Sequence, residues 1–190
     1  MRRRYLSAFN LSILTIVCAF SAAAQNNKQD GGQEIAFTVS MPKPHTHLLE
    51  VEIHVKRGLR AWPKEDTLVM PVWTPGSYLV REYARNVQDF SATDAAGRPL
   101  QWEKIDKNSW RVKTNLSPEW RVTYRVYANE LSVRTSELNS DHAFWNNAAL
   151  LMYLAGFLNE PSTLHILAPQ AWKVATGLPV VAGPKNTFRA

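Results

Sequence analysis

The sequence contains one cysteine, Cys18, in 190 residues. It lies in an apolar stretch near the N-terminus, so the remainder of the chain has no disulfide, no thiol nucleophile and no thiolate metal site. Glycine is scarce, eight residues against eleven prolines. That balance excludes flexible low-complexity sequence and favours short elements joined by defined turns. None of the five histidines is followed by glutamate, so the H-E-x-x-H pattern of zinc hydrolases is missing. Gly76-Ser77 is not part of a G-x-S-x-G elbow, which removes the usual serine-hydrolase signature.

What is present at the N-terminus reads as an export signal. Arg2, Arg3 and Arg4 precede the apolar run Leu11 to Phe20, which is too short to cross a bilayer, and Ala22-Ala23-Ala24 follows it. Cleavage is expected before Gln25. A buried N-terminal helix would not need the flanking arginines, and Val17 before Cys18 is too large for a lipoprotein signal. Removal of the three arginines lowers the basic residues from 22 to 19 against 16 acidic ones, and the net charge from +6 to +3. A scattered excess of that size does not point to nucleic acid. The expected location is periplasmic or secreted, with no stable membrane anchor once the signal is cleaved.

Residues 25–33 (QNNKQDGGQ) read as a flexible leader. From Glu34 the chain alternates with period two. Leu49, Val51, Ile53 and Val55 share one face of a strand, with Glu50, Glu52, His54 and Lys56 on the other. Trp120, Val122, Tyr124 and Val126 repeat the pattern, as do Trp110 with Val112 and Leu164 with Ile166. Shorter strands are expected at 34–40, 66–72, 87–93, 100–105, 149–154 and 172–176. Turn residues separate them, notably Thr74-Pro75-Gly76-Ser77, Ala96-Gly97-Arg98-Pro99 and Ser117-Pro118. This pattern predicts one all-β domain over 34–190, an antiparallel β-sandwich. Tyr78 to Val87 has room for a turn or two of helix but lacks a clean apolar stripe.

Few residues suggest chemistry. His45 and His47 are two apart, so both would face one side of a strand, but no third ligand is in an obvious position and a structural role is favoured. Pro75-Gly76 suits the centre of a type II turn. Trp102, Trp110 and Trp120 fall at alternating positions that predict burial, while Trp62, Trp73 and Trp145 fall at turns or loops.

Two segments carry a resemblance: Met70 to Ala92 (MPVWTPGSYLVREYARNVQDFSA) and Tyr124 to Asn146 (YRVYANELSVRTSELNSDHAFWN). Pro44-His45-Thr46-His47-Leu48, Lys107 to Val112 and Trp172 to Leu178 support them. Together they resemble the N-terminal domain of the glycyl aminopeptidase family of zinc metallopeptidases (peptidase family M, number sixty-one), over about Ile35 to Arg189. The resemblance implies a non-catalytic β-sandwich ahead of a peptidase domain, which carries H-E-x-x-H and the zinc. No catalytic or zinc-binding position of that family has a counterpart here, so no cofactor is expected in this chain. Asn146-Asn147-Ala148 departs from the Asn-Gly-Ala or Asn-Gly-Ser of family members, which puts the turn there in question.

The expected role is docking and substrate access for a peptidase domain beyond Ala190, with peptide substrate met only indirectly. A stand-alone periplasmic module for peptides or glycans, or a structural sandwich in a larger assembly, are the rivals. Continuation of the coding sequence into H-E-x-x-H, a stop with ligand binding, or further sandwiches would separate the three. The polar segment Asn129 to Asn146 is expected to leave the sandwich as loops or a hairpin at one edge. The candidate interface residues are Arg81, Arg85, Glu130, Arg134 and Asn146. Arg81 and Arg85 present planar forks that suit carboxylates on a partner. By analogy with aminopeptidase N, Glu130 or Asn146 is expected near the substrate amine. The competing reading pairs the three arginines with acids inside the domain.

Overall fold

The computed structural model describes residues 33–58, 62–77 and 79–190. The expected signal and nearly all of the leader lie outside the described residues.

The strongest alternating segments form the centre of the larger sheet. β1 (Glu34–Ser40) pairs with β2 (Leu48–Lys56), and β2 pairs along its whole length with β7 (Glu119–Tyr127). The register sets apolar side chains opposite one another: Leu49 faces Val126, Val51 faces Tyr124, Ile53 faces Val122 and Val55 faces Trp120. All eight are buried. β4 (Val87–Asp94) closes one edge, and β11 (Ser162–Leu167) with β12 (Thr187–Arg189) closes the other, giving the order β12-β11-β1-β2-β7-β4.

The second sheet, β10-β3-β6-β5, consists of β3 (Glu65–Val69), β5 (Trp102–Lys104), β6 (Ser109–Lys113) and β10 (Tyr153–Leu154). Its buried Leu68, Trp110, Val112 and Leu154 join the same core as the larger sheet. Phe90 marks the contact between the layers. A bulge between Gln88 and Ser91, with Asp89 at φ 50°, turns Phe90 inward. Its ring stacks 5.7 Å from Trp110 on the opposing sheet and 6.4 Å from Tyr124 on its own.

Polar groups reinforce the join. Arg57, just past β2, forms a buried ion pair with Asp66 on β3 and donates to Thr114 Oγ1 at 2.7 Å. Burial pushes the Asp66 carboxyl above its ordinary range, against the opposing pull of the Arg57 charge. Asp94 accepts from the backbone N–H groups of Arg98 and Ala96 and from Arg98 Nε, and these bonds, led by the Arg98 N–H, hold its carboxyl below the usual range.

The sandwich is all-β but not purely antiparallel, because β1 and β11 run parallel. A strand returning to the sheet after so long a connection is not forced antiparallel by a hairpin. Residues 149–154 are not one strand: Asn147–Ala149 is a 3-10 turn, and only Tyr153–Leu154 joins a ladder. The buried Tyr124 hydroxyl replaces ladder bonds there, donating to Leu150 O at 2.9 Å and accepting from Met152 N at 3.1 Å. Residues 172–176 form no strand: Trp172 N closes a turn on Pro169 O, and Trp172 packs against the core together with Ala168, Val174 and Leu178. Trp102 is not buried. It lies on the edge strand β5, 43% exposed, with its ring 4.8 Å from Phe90 at the rim.

Candidate functional site

The candidate residues come from two segments that converge at one edge. The first begins with a turn in which Ser77 N donates to Thr74 O at 3.0 Å and Gly76 takes φ 80°, as a type II turn requires. Arg81 N then donates to Val72 O at 2.6 Å, closing the loop. A 3-10 turn, Tyr83–Asn86, follows; it buries Tyr83 and Ala84 and leaves Arg85 exposed. This short turn stands where the sequence left room for a helix.

The second segment leaves β7 and forms a hairpin of β8 (Ser136–Leu138) and β9 (Ala143–Trp145), as the polar composition suggested. Leu138 is fully buried and pins it to the core. Its N–H donates to Ala128 O at 2.8 Å. Within the hairpin, Asn139 Oδ1 accepts from the Asp141 and His142 N–H groups, and Glu137 lies 3.3 Å from His142 Nε2.

The two segments enclose a cavity of about 170 Å3 whose lining includes Tyr83, Arg85, Asn86, Asn129, Glu130 and Ser136. The Tyr83 hydroxyl and Ser136 Oγ are buried without hydrogen-bond partners among the described residues. A second cavity, about 400 Å3, is lined by Arg81, Arg85, Lys104 and Lys107 with the single acid Glu82. Arg85 belongs to both. Exposed apolar side chains surround the pair in sequence: Trp73, Leu79 and Val80 on the first segment, Leu131, Val133 and Phe144 on the second.

The structure therefore brings Arg85 together with Glu130, and Arg81 together with Arg85. Arg134 lies on the loop before β8, where its N–H donates to Ser132 Oγ at 3.2 Å. Asn146 is used locally. Its Oδ1 accepts from Ala148 N at 3.0 Å, and its Nδ2 donates to Val133 O at 3.4 Å. Asn147 needs no positive φ in this turn, so the missing glycine does not distort it. Among the described residues, Arg57, Arg98, Arg111, Arg121 and Arg125 each pair with an acid, whereas no ion pair involves Arg81, Arg85 or Arg134. Internal pairing of these three is thus not found. The residues that sequence reasoning missed are Lys104, Lys107 and Tyr83, which come from separate stretches and share no motif.

His45 and His47 do not share a strand face. They occupy a 3-10 turn and its left-handed cap ahead of β2, and His47 Nδ1 is 2.5 Å from Leu138 O. His47 helps hold the hairpin against the sheet.

Residues 36–190 match the family model described as the peptidase M61 N-terminal domain. The chain belongs to that family. Among solved structures, this M61 N-terminal domain is similar to an aminopeptidase N family protein from Idiomarina loihiensis, at 33% identity and a TM-score of 0.73. The match covers 82% of this chain and 27% of that one, so the chain spans about a quarter of that relative's length. It also matches an M1 zinc metallopeptidase from Deinococcus radiodurans, at 13% identity and a TM-score of 0.42, over 83% of this chain and 38% of that one. No curated protein matches the chain.

Proposed function

We propose that this M61 domain is a non-catalytic docking and substrate-access module of an exported zinc aminopeptidase. Its edge formed by residues 72–86 and 129–146 faces the peptidase domain. One observation carries the reading. Three arginines without acid partners among the described residues share, with exposed Trp73, Leu79, Val80, Leu131 and Val133, the two segments that enclose the cavity lined by Arg85 and Glu130. Unpaired guanidiniums beside exposed apolar side chains are the composition of a surface that another protein covers.

Glu130 is the residue suited to meet substrate. It is an exposed lining residue of the cavity and its carboxylate has no partner among the described residues; its carbonyl is held by Thr135 Oγ1 at 2.6 Å, which fixes the backbone beneath it. A carboxylate so placed complements the protonated amine of a peptide N-terminus. Asn146, engaged at both ends of its amide, positions the hairpin instead. Zinc and the hydrolytic step belong to the peptidase domain, since the H-E-x-x-H ligands have no counterpart in this sequence.

The test is kinetic, in a polypeptide that carries the peptidase domain. Glu130→Ala should lower kcat/KM about tenfold with an unchanged melting temperature, equivalent to about 1.4 kcal/mol of transition-state stabilisation. Unchanged kinetics would remove Glu130 from the substrate path.

A further inference from the structure

We propose that the larger cavity is a carboxylate socket, and that its occupant is an acidic residue of the peptidase domain. The identity of the occupant rests on the docking reading; the chemistry of the socket does not.

Four cationic side chains, Arg81, Arg85, Lys104 and Lys107, line this cavity and only one acid, Glu82, accompanies them. Glu82 is taken by Lys107 at 3.3 Å, and both side chains are mostly exposed, so that pair contributes little, and among the described residues neither Arg81 nor Arg85 forms an ion pair. The Lys104 ammonium sits 4.6 Å from the centre of the Trp110 ring, and its charge adds to the Asn108 N–H that chiefly holds the Asp106 carboxyl low. Arg81 Nε is buried and has no acceptor among the described residues. A buried N–H without an acceptor is unfavourable, and an incoming carboxylate relieves it.

The remaining lining selects among anions. Val72, Val80 and Ala84 give the cavity an apolar wall, which favours a carboxylate with an apolar neighbour over a fully hydrated inorganic ion. The Arg81 and Arg85 guanidiniums supply paired N–H donors that match a carboxylate bidentately. The occupant is therefore a glutamate or aspartate flanked by an apolar residue.

The experiment is a nuclear magnetic resonance titration of the chain with the acetylated and amidated tripeptide Leu-Glu-Leu, its glutamine counterpart, and inorganic phosphate. The expected result is saturable shifts at Arg81, Arg85 and Lys104, with the glutamate peptide bound about tenfold more tightly than the glutamine one, or 1.4 kcal/mol. Raising salt from about 20 mM to about 300 mM should weaken this binding. Arg85→Gln, at an exposed position, should abolish the preference for glutamate, and it preserves the test if Arg81→Gln does not fold. Equal affinity for the two peptides, or binding of phosphate in place of either, overturns the proposal. The two readings fail separately: the titration does not involve the peptidase domain, and the kinetic test of Glu130→Ala does not involve the socket.

Discussion

Arg57 and Asp66 form an ion pair between the two sheets, with side chains only 1% and 5% exposed. Removing one partner of such a pair leaves a buried charge without compensation. Arg57→Met should therefore cost about 3–5 kcal/mol of stability. The double variant Arg57→Met/Asp66→Leu should recover most of that loss, because an apolar pair of similar volume replaces both charges. Denaturant midpoints check this. Equal loss in the single and double variants would mean that the ion pair is not what joins the sheets here.

Tyr124→Phe tests the irregular stretch before β10. The change keeps the ring in the core but removes the hydroxyl, leaving Leu150 O and Met152 N without that partner. The expected loss is about 1–3 kcal/mol. Burial pushes this phenol well above its ordinary range, so alkaline titration followed by tyrosinate absorbance should leave Tyr124 among the last to ionise.

Most of the sandwich could be read from alternation, and the reasons are local. β2 and β7 each carry four inward apolar residues in strict alternation, and the structure pairs these two faces residue by residue. The failures have physical causes. Leu150, Leu151 and Met152 look like a strand, but a tyrosine hydroxyl distant in sequence takes Leu150 O and Met152 N, and Asn147 O takes the Leu150 and Leu151 N–H groups. Trp102 alternates correctly, yet alternation says nothing about whether a strand lies at an edge. β12 is three residues long, too short to show a period. At the candidate site, the meeting of Arg85 with Glu130 was accessible only as two separate motifs. Lys104 carried no signal and Lys107 was visible only as the first residue of a supporting motif, because a turn and an edge strand bring them to Arg81 only after folding.

Acid should unfold the domain in part through Asp94 and Asp106. Backbone N–H groups, of Arg98 and Asn108 respectively, are the main cause of the lowered values of both carboxyls. A lowered folded value means that the stabilisation is present above about pH 4 and is lost as pH falls through the folded value. Asp66, raised by burial, acts in the opposite sense. Thermal melts between about pH 5 and about pH 2 should thus show a falling melting temperature, with a shallower slope in Asp94→Asn. An identical slope in that variant would contradict the assignment.

The central claim is that the edge bearing Arg81, Arg85 and Glu130 is covered by a peptidase domain. Hydrogen–deuterium exchange tests it most directly, comparing this domain alone with a polypeptide that also carries a peptidase domain. The account predicts that amides at 79–85 and 130–136 exchange at least about tenfold more slowly in the longer polypeptide, while the outer faces of β2 and β7 are unchanged. Equal exchange at both segments in the two proteins would contradict it.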